Sequence, residues 1–279
     1  MKFYKYQGAG NDFLIADNRD GSIVLTSEQV SALCDRRYGI GADGLMLLEN
    51  SERHDFRMTY FNSDGSGGMM CGNGGRCIVA FAADMGMEKY RFEAADGLHD
   101  AEILHSEGTV KTVRLQMKNV GGVDRHQALT GVNVPSDGYF LDTGTRHFVR
   151  FVEGLDDYDV VTEGRDIRFN AEELLPVGAN VNFVEQEGRI LKVRTYEKGV
   201  EDETFACGTG IVASAMASYA HGVRPRVGES ESGHINALYT VYAKRDILAV
   251  SFDVVPGESW SAENVWLTGP AAFVAEINI

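Results

Sequence analysis

Two short segments carry residues able to do chemistry, Cys71-Gly72-Asn73-Gly74-Gly75-Arg76 and Cys207-Gly208-Thr209-Gly210. Each sets a thiol at the head of a glycine-rich stretch. A cysteine at the first turn of a helix lies beside backbone N–H groups that lack intrahelical partners, at the positive end of the macrodipole. That position favours a thiolate, and the glycines let a ligand come close to the backbone. The same N–H groups bind carboxylates. Two such helix starts facing each other would hold an amino acid's carboxylate and place one sulfur on each side of its α-carbon. One thiolate would remove the α-proton and the opposite thiol would return one to the other face. The helix ends would stabilise the developing enediolate, with no Schiff base required. The chemistry predicted is inversion of one carbon centre.

The elements that must position these thiols read as strand, loop, helix in both places. Phe56 to Phe61 and Leu191 to Tyr196 have the β-branched and aromatic enrichment of strands. Ile78 to Ala83 and Ile211 to Ala217 read as small-residue helices packed inside a sheet. A faint internal repeat at an offset of 134 to 137 residues ties the two places together. Gly10-Asn11-Asp12-Phe13 is echoed by Gly144-Thr145-Arg146-His147-Phe148, and Gly41-Ala42-Asp43 by Gly178-Ala179-Asn180. Met58-Thr59-Tyr60 is echoed by Arg194-Thr195-Tyr196, each tyrosine eleven residues before its cysteine. Two related domains, each contributing one cysteine, is the expectation: residues 1–119 with 265–279, and 120–264. The last strand, Ala272 to Ile277, would cross back to pair with the first domain, and Val134-Pro135-Ser136-Asp137-Gly138 reads as a turn.

With 279 residues, 44% of them hydrophobic, the chain can build two real cores. A formal charge of −15 argues against a nucleic-acid footprint, so an anionic substrate must be caught locally. Four cysteines without C-x-x-C spacing read as free thiols, Cys34 and Cys77 as small core residues. The histidines are scattered without metal-ligand spacing, and no G-x-S-x-G elbow occurs, so neither a metal nor a serine nucleophile is expected. Gly39-x-Gly41-x-x-Gly44 matches a dinucleotide fingerprint only formally, because it follows a helix and leads into strand-like Leu45-Met46-Leu47-Leu48, the reverse of the required order. No apolar run approaches the roughly 18 residues of a membrane span, and Met1 to Tyr6 lacks the apolar stretch of a secretory signal. A cytoplasmic protein is expected.

Gly8-Ala9-Gly10-Asn11-Asp12-Phe13, Gly39-Ile40-Gly41-Ala42-Asp43-Gly44, Tyr60-Phe61-Asn62-Ser63-Asp64-Gly65, Met70-Cys71-Gly72-Asn73-Gly74-Gly75-Arg76-Cys77, Tyr196-Glu197 and Ala206-Cys207-Gly208-Thr209-Gly210 together resemble the diaminopimelate epimerases. The likeness runs from Lys2 to Leu267-Thr268-Gly269-Pro270. It implies an α/β fold of two pseudo-symmetric domains, each a mixed sheet rolled around a central helix, and a homodimer. It also implies interconversion of LL- and meso-diaminopimelate without pyridoxal phosphate, metal or other cofactor, in lysine and peptidoglycan-precursor synthesis. By position, Cys71 and Cys207 would be the acid/base pair. Gly72, Asn73, Gly208 and Thr209 would hold the reacting carboxylate, and Asn11 and Glu197 its ammonium region. Asn62, Thr145, Asn180 and Lys198 would meet the distal group, while His147 and Glu197 would adjust the thiols.

Four positions depart from the commoner pattern of that family: Gly44 for glutamine, Thr145 for asparagine, Arg146 for proline and Lys198 for arginine. Lysine cannot reproduce arginine's two-pronged grip on a carboxylate, so Arg146 is expected to replace part of the guanidinium missing at 198. A related cofactor-free racemase acting on proline or hydroxyproline is the nearest alternative. It fits less well with Asn11, Asn62 and Asn180 together, which suit a long substrate with a second polar end. From a different class, a thiol redox sensor or a non-catalytic amino-acid-binding module would show no α-proton exchange in any redox state.

Overall fold

The computed structural model describes residues 1–279 apart from 69–70, 124–125, 136 and 230–231. Met70, beside the first thiol, and Ser136, in the 134–138 turn, thus lie outside the described residues. The helices are α1 (Ser27–Cys34), α2 (Gly72–Asp84), α3 (Val160–Asn170) and α4 (Gly208–Ala220), and strands make up nearly all other regular structure. None of these helices is long and apolar enough to cross a membrane. The chain divides into two compact units, Met1–Gln116 with Thr268–Ile279, and Met117–Leu267.

In the first unit the central strands run in the spatial order Phe56–Asn62, Gly44–Glu49, Asn11–Asp17, Lys2–Gly8, the far part of Ser261–Asn278, Val110–Gln116 and Ala101–Glu107. Asn11–Asp17 and Gly44–Glu49 are parallel and so need a crossover, which α1 supplies. Thr26 starts α1 with a capping box: Gln29 N–H donates to its hydroxyl at 3.3 Å, and its own N–H donates to Gln29 Oε1 at 2.9 Å. Strands from Gly44–Glu49 across to Ala101–Glu107 pack on α2, so the sheet curls around the helix, and every residue from Gly72 to Ala82 is buried. Phe81, fully buried, meets the rings of Tyr4 and Tyr6 at 5.0 and 5.8 Å, a burial worth about 1.5–3 kcal/mol.

The second unit uses the same order of elements. Tyr139–Asp142 pairs antiparallel with Arg146–Phe151, which runs parallel to Asn180–Glu187 after the α3 crossover, and Ile190–Glu197 returns antiparallel. Ile235–Tyr242 and Ile247–Val255 extend the sheet. Gly164 lets α3 settle on the strands, since a Cβ there would lie 2.4 Å from Tyr196 Cβ. α4 packs against strands from Tyr139–Asp142 through to Ile247–Val255, and Gly210 to Ser218 are buried.

The mixed α/β class expected from sequence is thus the class observed. Both central helices begin several residues before the apolar runs that signalled them, because Gly72 to Gly75 and Gly208 to Gly210 are helical. Glycine costs about 1 kcal/mol per residue in a helix, so tertiary packing within the curled sheets must carry these turns.

Candidate active site

Cys71 is the N-cap of α2, with extended backbone (φ −110°, ψ 148°), and its Sγ accepts the Gly74 N–H at 3.2 Å. Asn11 Oδ1 lies 4.0 Å from the same sulfur. The Asn11 amide is turned that way because its Nδ2 donates to Asp43 Oδ2 at 2.6 Å, while Arg36 grips both Asp43 and Asp12 at 2.6 Å. Burial alone would raise the Asp12 carboxyl, but hydrogen bonds from Arg36 and Lys5 outweigh it and hold the group below the usual carboxylate range. Arg76, wholly buried on α2, donates to Gly72 O at 3.0 Å, Asn73 Oδ1 at 2.9 Å and Pro270 O at 3.4 Å. It clamps the turn that carries the first thiol.

Cys207 is the N-cap of α4 and 8% exposed. Its Sγ lies 3.4 Å from Thr209 Oγ1, which is 2.9 Å from His147 Nε2; Thr145 Oγ1 is also 2.9 Å from that nitrogen. The other ring nitrogen, Nδ1, is 3.1 Å from Asn182 Nδ2. Burial pushes the His147 imidazole down to about 3, against a small opposing pull from Asp142, so the ring is neutral. Asn180 bridges backbones: Nδ2 donates to Arg146 O at 3.3 Å and Oδ1 accepts Lys198 N–H at 2.9 Å. Glu197 accepts the Thr204 hydroxyl at 2.8 Å.

The surfaces beneath the two thiols differ in kind. A Cβ on Gly74 would meet Met46 Sδ at 3.4 Å and Phe13 Cζ at 3.5 Å; on Gly210 it would meet Asn182 Oδ1 at 2.3 Å. The first helix start rests on apolar side chains and the second on an amide and an imidazole.

The diaminopimelate epimerase profile matches residues 3–120 and 139–235. A diaminopimelate epimerase of Flavobacterium psychrophilum is 44% identical over 287 residues, covering 100% of both chains, and one of Chlorobaculum tepidum is 45% identical over 274 residues, covering 96% of each. The chain belongs to the diaminopimelate epimerase family. Among solved structures, a Bacillus anthracis phenazine biosynthesis protein of the PhzF family superposes with a TM-score of 0.69 at 17% identity, covering 100% of this chain and 98% of that one. A hydroxyproline epimerase from Agrobacterium vitis does so with a TM-score of 0.68 at 17% identity, covering 99% and 91%. Both likenesses are of fold.

Within this epimerase-family chain, Asn11, Gly72 and Asn73 gather at the Cys71 helix start, and Thr145, His147 and Thr209 at that of Cys207. Asn62 closes a turn through Ser66 Oγ at 3.0 Å, and the Lys198 side chain is exposed. Cys34 and Cys77 are buried, and burial pushes the Cys34 thiol up to about 11 and raises that of Cys77. Gly44 has no room for a side chain, since a Cβ would lie 2.7 Å from Phe61 O and 2.8 Å from the Tyr60 ring. The expectation that Arg146 replaces a guanidinium at 198 is corrected. Its side chain leaves the face of its strand opposite to His147, donating to Leu174 O at 3.2 Å and stacking 5.0 Å from the Phe140 ring. Sequence reasoning gave no role to Arg76, Asp43 or Asn182. An arginine amid small apolar residues and an asparagine two residues after Asn180 on the same strand face were the signals.

Proposed function

We propose that this chain interconverts LL- and meso-diaminopimelate, with Cys71 and Cys207 as the acid/base pair. The observation that carries the reading is that both thiols N-cap buried, glycine-headed helices in a chain of this family. One sulfur, as thiolate, takes the proton from the α-carbon. The electron pair delocalises into the carboxylate, which N–H groups at Gly72, Asn73, Gly208 and Thr209 stabilise. The other thiol gives its proton to the opposite face, and the enzyme is left with thiol and thiolate exchanged. Asn11 and Glu197 hold the ammonium region, Asn62, Thr145, Asn180 and Lys198 the distal group, and His147 and Glu197 tune the thiols. The two-domain division, action in the cytoplasm on precursors of lysine and peptidoglycan, and a homodimeric state belong to the same reading.

The test is incubation of LL-diaminopimelate with freshly reduced protein in D₂O, following α-deuterium and stereoisomers. Conversion to the meso form with α-deuteration, lost in Cys71→Ala and Cys207→Ala, is expected. Absence of exchange in the reduced wild type would overturn the reading, and proline and hydroxyproline would then be assayed.

A further inference from the structure

Asn182 is wholly buried on the strand Asn180–Glu187, with its side chain between the His147 ring and the first turn of α4. Its amide has one allowed orientation. Nδ2 lies 3.3 Å from Phe148 O, and a carbonyl can only accept, so the atom facing it is the NH₂ group. Oδ1, on the other side, accepts the Thr195 hydroxyl at 3.0 Å. The second amide hydrogen therefore points at His147 Nδ1, 3.1 Å away. A nitrogen that receives a hydrogen bond carries no proton, and in a neutral imidazole the proton must then be on Nε2.

Nε2–H faces the hydroxyl oxygens of Thr145 and Thr209, which are 3.2 Å from each other. The ring cannot accept from either, so the Thr209 proton has two acceptors in reach, Thr145 Oγ1 at 3.2 Å and Cys207 Sγ at 3.4 Å; when Cys207 is a thiolate it can only accept, and the charged sulfur draws that proton. Every link then donates in one direction, from Asn182 through His147 and Thr209 to the sulfur, and donation into sulfur favours thiolate over thiol. Gly210 belongs to the same arrangement, because any Cβ there would collide with the amide oxygen.

The geometry points to Asn182 as a positioning residue that holds His147 as the Nε2–H tautomer and so directs a hydrogen-bond relay onto Cys207. The kinetic part of this assignment rests on the epimerase reading above; the ring tautomer does not. At the Cys71 helix start, Gly74 faces Phe13 and Met46 where Gly210 faces the Asn182 amide.

The experiment is long-range ¹H–¹⁵N correlation of the histidine rings in the full-length reduced protein at neutral pH, His147 being assigned by His147→Gln, together with steady-state epimerisation kinetics. In the wild type the His147 proton is expected on Nε2, with Nδ1 unprotonated. Asn182→Asp keeps the shape but replaces the donor by an acceptor, which draws the proton to Nδ1. The ring signals should change accordingly and kcat should fall at least about tenfold, with KM within about threefold of wild type. A wild-type ring protonated on Nδ1, or on both nitrogens, overturns the proposal even if Asn182→Asp does not fold. A folded Asn182→Asp with wild-type kcat also overturns it. Should the wild type show the Nε2–H ring yet exchange no α-proton of diaminopimelate, the substrate reading falls and the tautomer assignment stands.

Discussion

His147 is kept neutral by burial, and this has an energetic signature separate from catalysis. Its folded pKa, about 3, lies below its ordinary 6.5, so the unfolded chain takes up a proton that the native ring refuses. Stability therefore falls as pH drops from about 6.5 toward about 3, because the unfolded state binds more protons across that window. In His147→Gln the slope of unfolding free energy against pH should be shallower there by up to about one proton, measured by urea melts at a series of pH values. Arg146→Ala, by contrast, should leave KM for diaminopimelate within about twofold, since its guanidinium is occupied by Leu174 O and Phe140. A large rise in KM would restore the distal role first expected from the sequence. Arg76→Met should be destabilising, by about 1–3 kcal/mol for each buried acceptor left unsatisfied, since Asn73 Oδ1 and the carbonyls of Gly72 and Pro270 lose its donation.

Helices and strands set the tolerances of the site. Thr26→Ala removes the capping box of α1 and should cost about 1 kcal/mol, with little effect on the thiols. Gly44→Ala must push aside Phe61 O and the Tyr60 ring, so a loss of about 1–3 kcal/mol in thermal or urea unfolding is expected. These two positions also mark what can and cannot be read from sequence. Cys71, Cys207 and their glycines were legible because an N-cap is a local feature spelled by consecutive residues. The packing that sustains these glycine-rich first turns was not, since glycine is a poor helix former and only the surrounding strands make those turns worthwhile. Arg146 was misread for a related reason. The strand Arg146–Phe151 sends successive side chains to opposite faces, so Arg146 and His147 are neighbours in sequence and not in space. Asn182 lay hidden because its meaning depends on cross-strand register, Val149 against Asn182 and Asn182 against Thr195.

At the scale of the whole molecule, the repeat visible in sequence corresponds to two units built from the same order of elements, which have diverged beneath their helices. Phe13 and Met46 stand in one where His147 and Asn182 stand in the other. The first unit also depends on residues far from it in sequence. Ala272 to Asn278 pair with Lys2 to Gln7, while Gly269 to Ala272 pair with Val110 to Val113. Removing residues 268–279 should therefore expose amides of Lys2–Gly8 and Val110–Gln116 to hydrogen exchange while those of α4 and its strands stay protected. The same arrangement sets a schedule during synthesis. The strand that completes the first unit is translated only after all of Met117–Leu267, a wait on the order of ten seconds at ordinary elongation rates. A released chain ending at Leu267 should resist protease in its later half and be cut in its earlier one, so that the part made first is the part finished last.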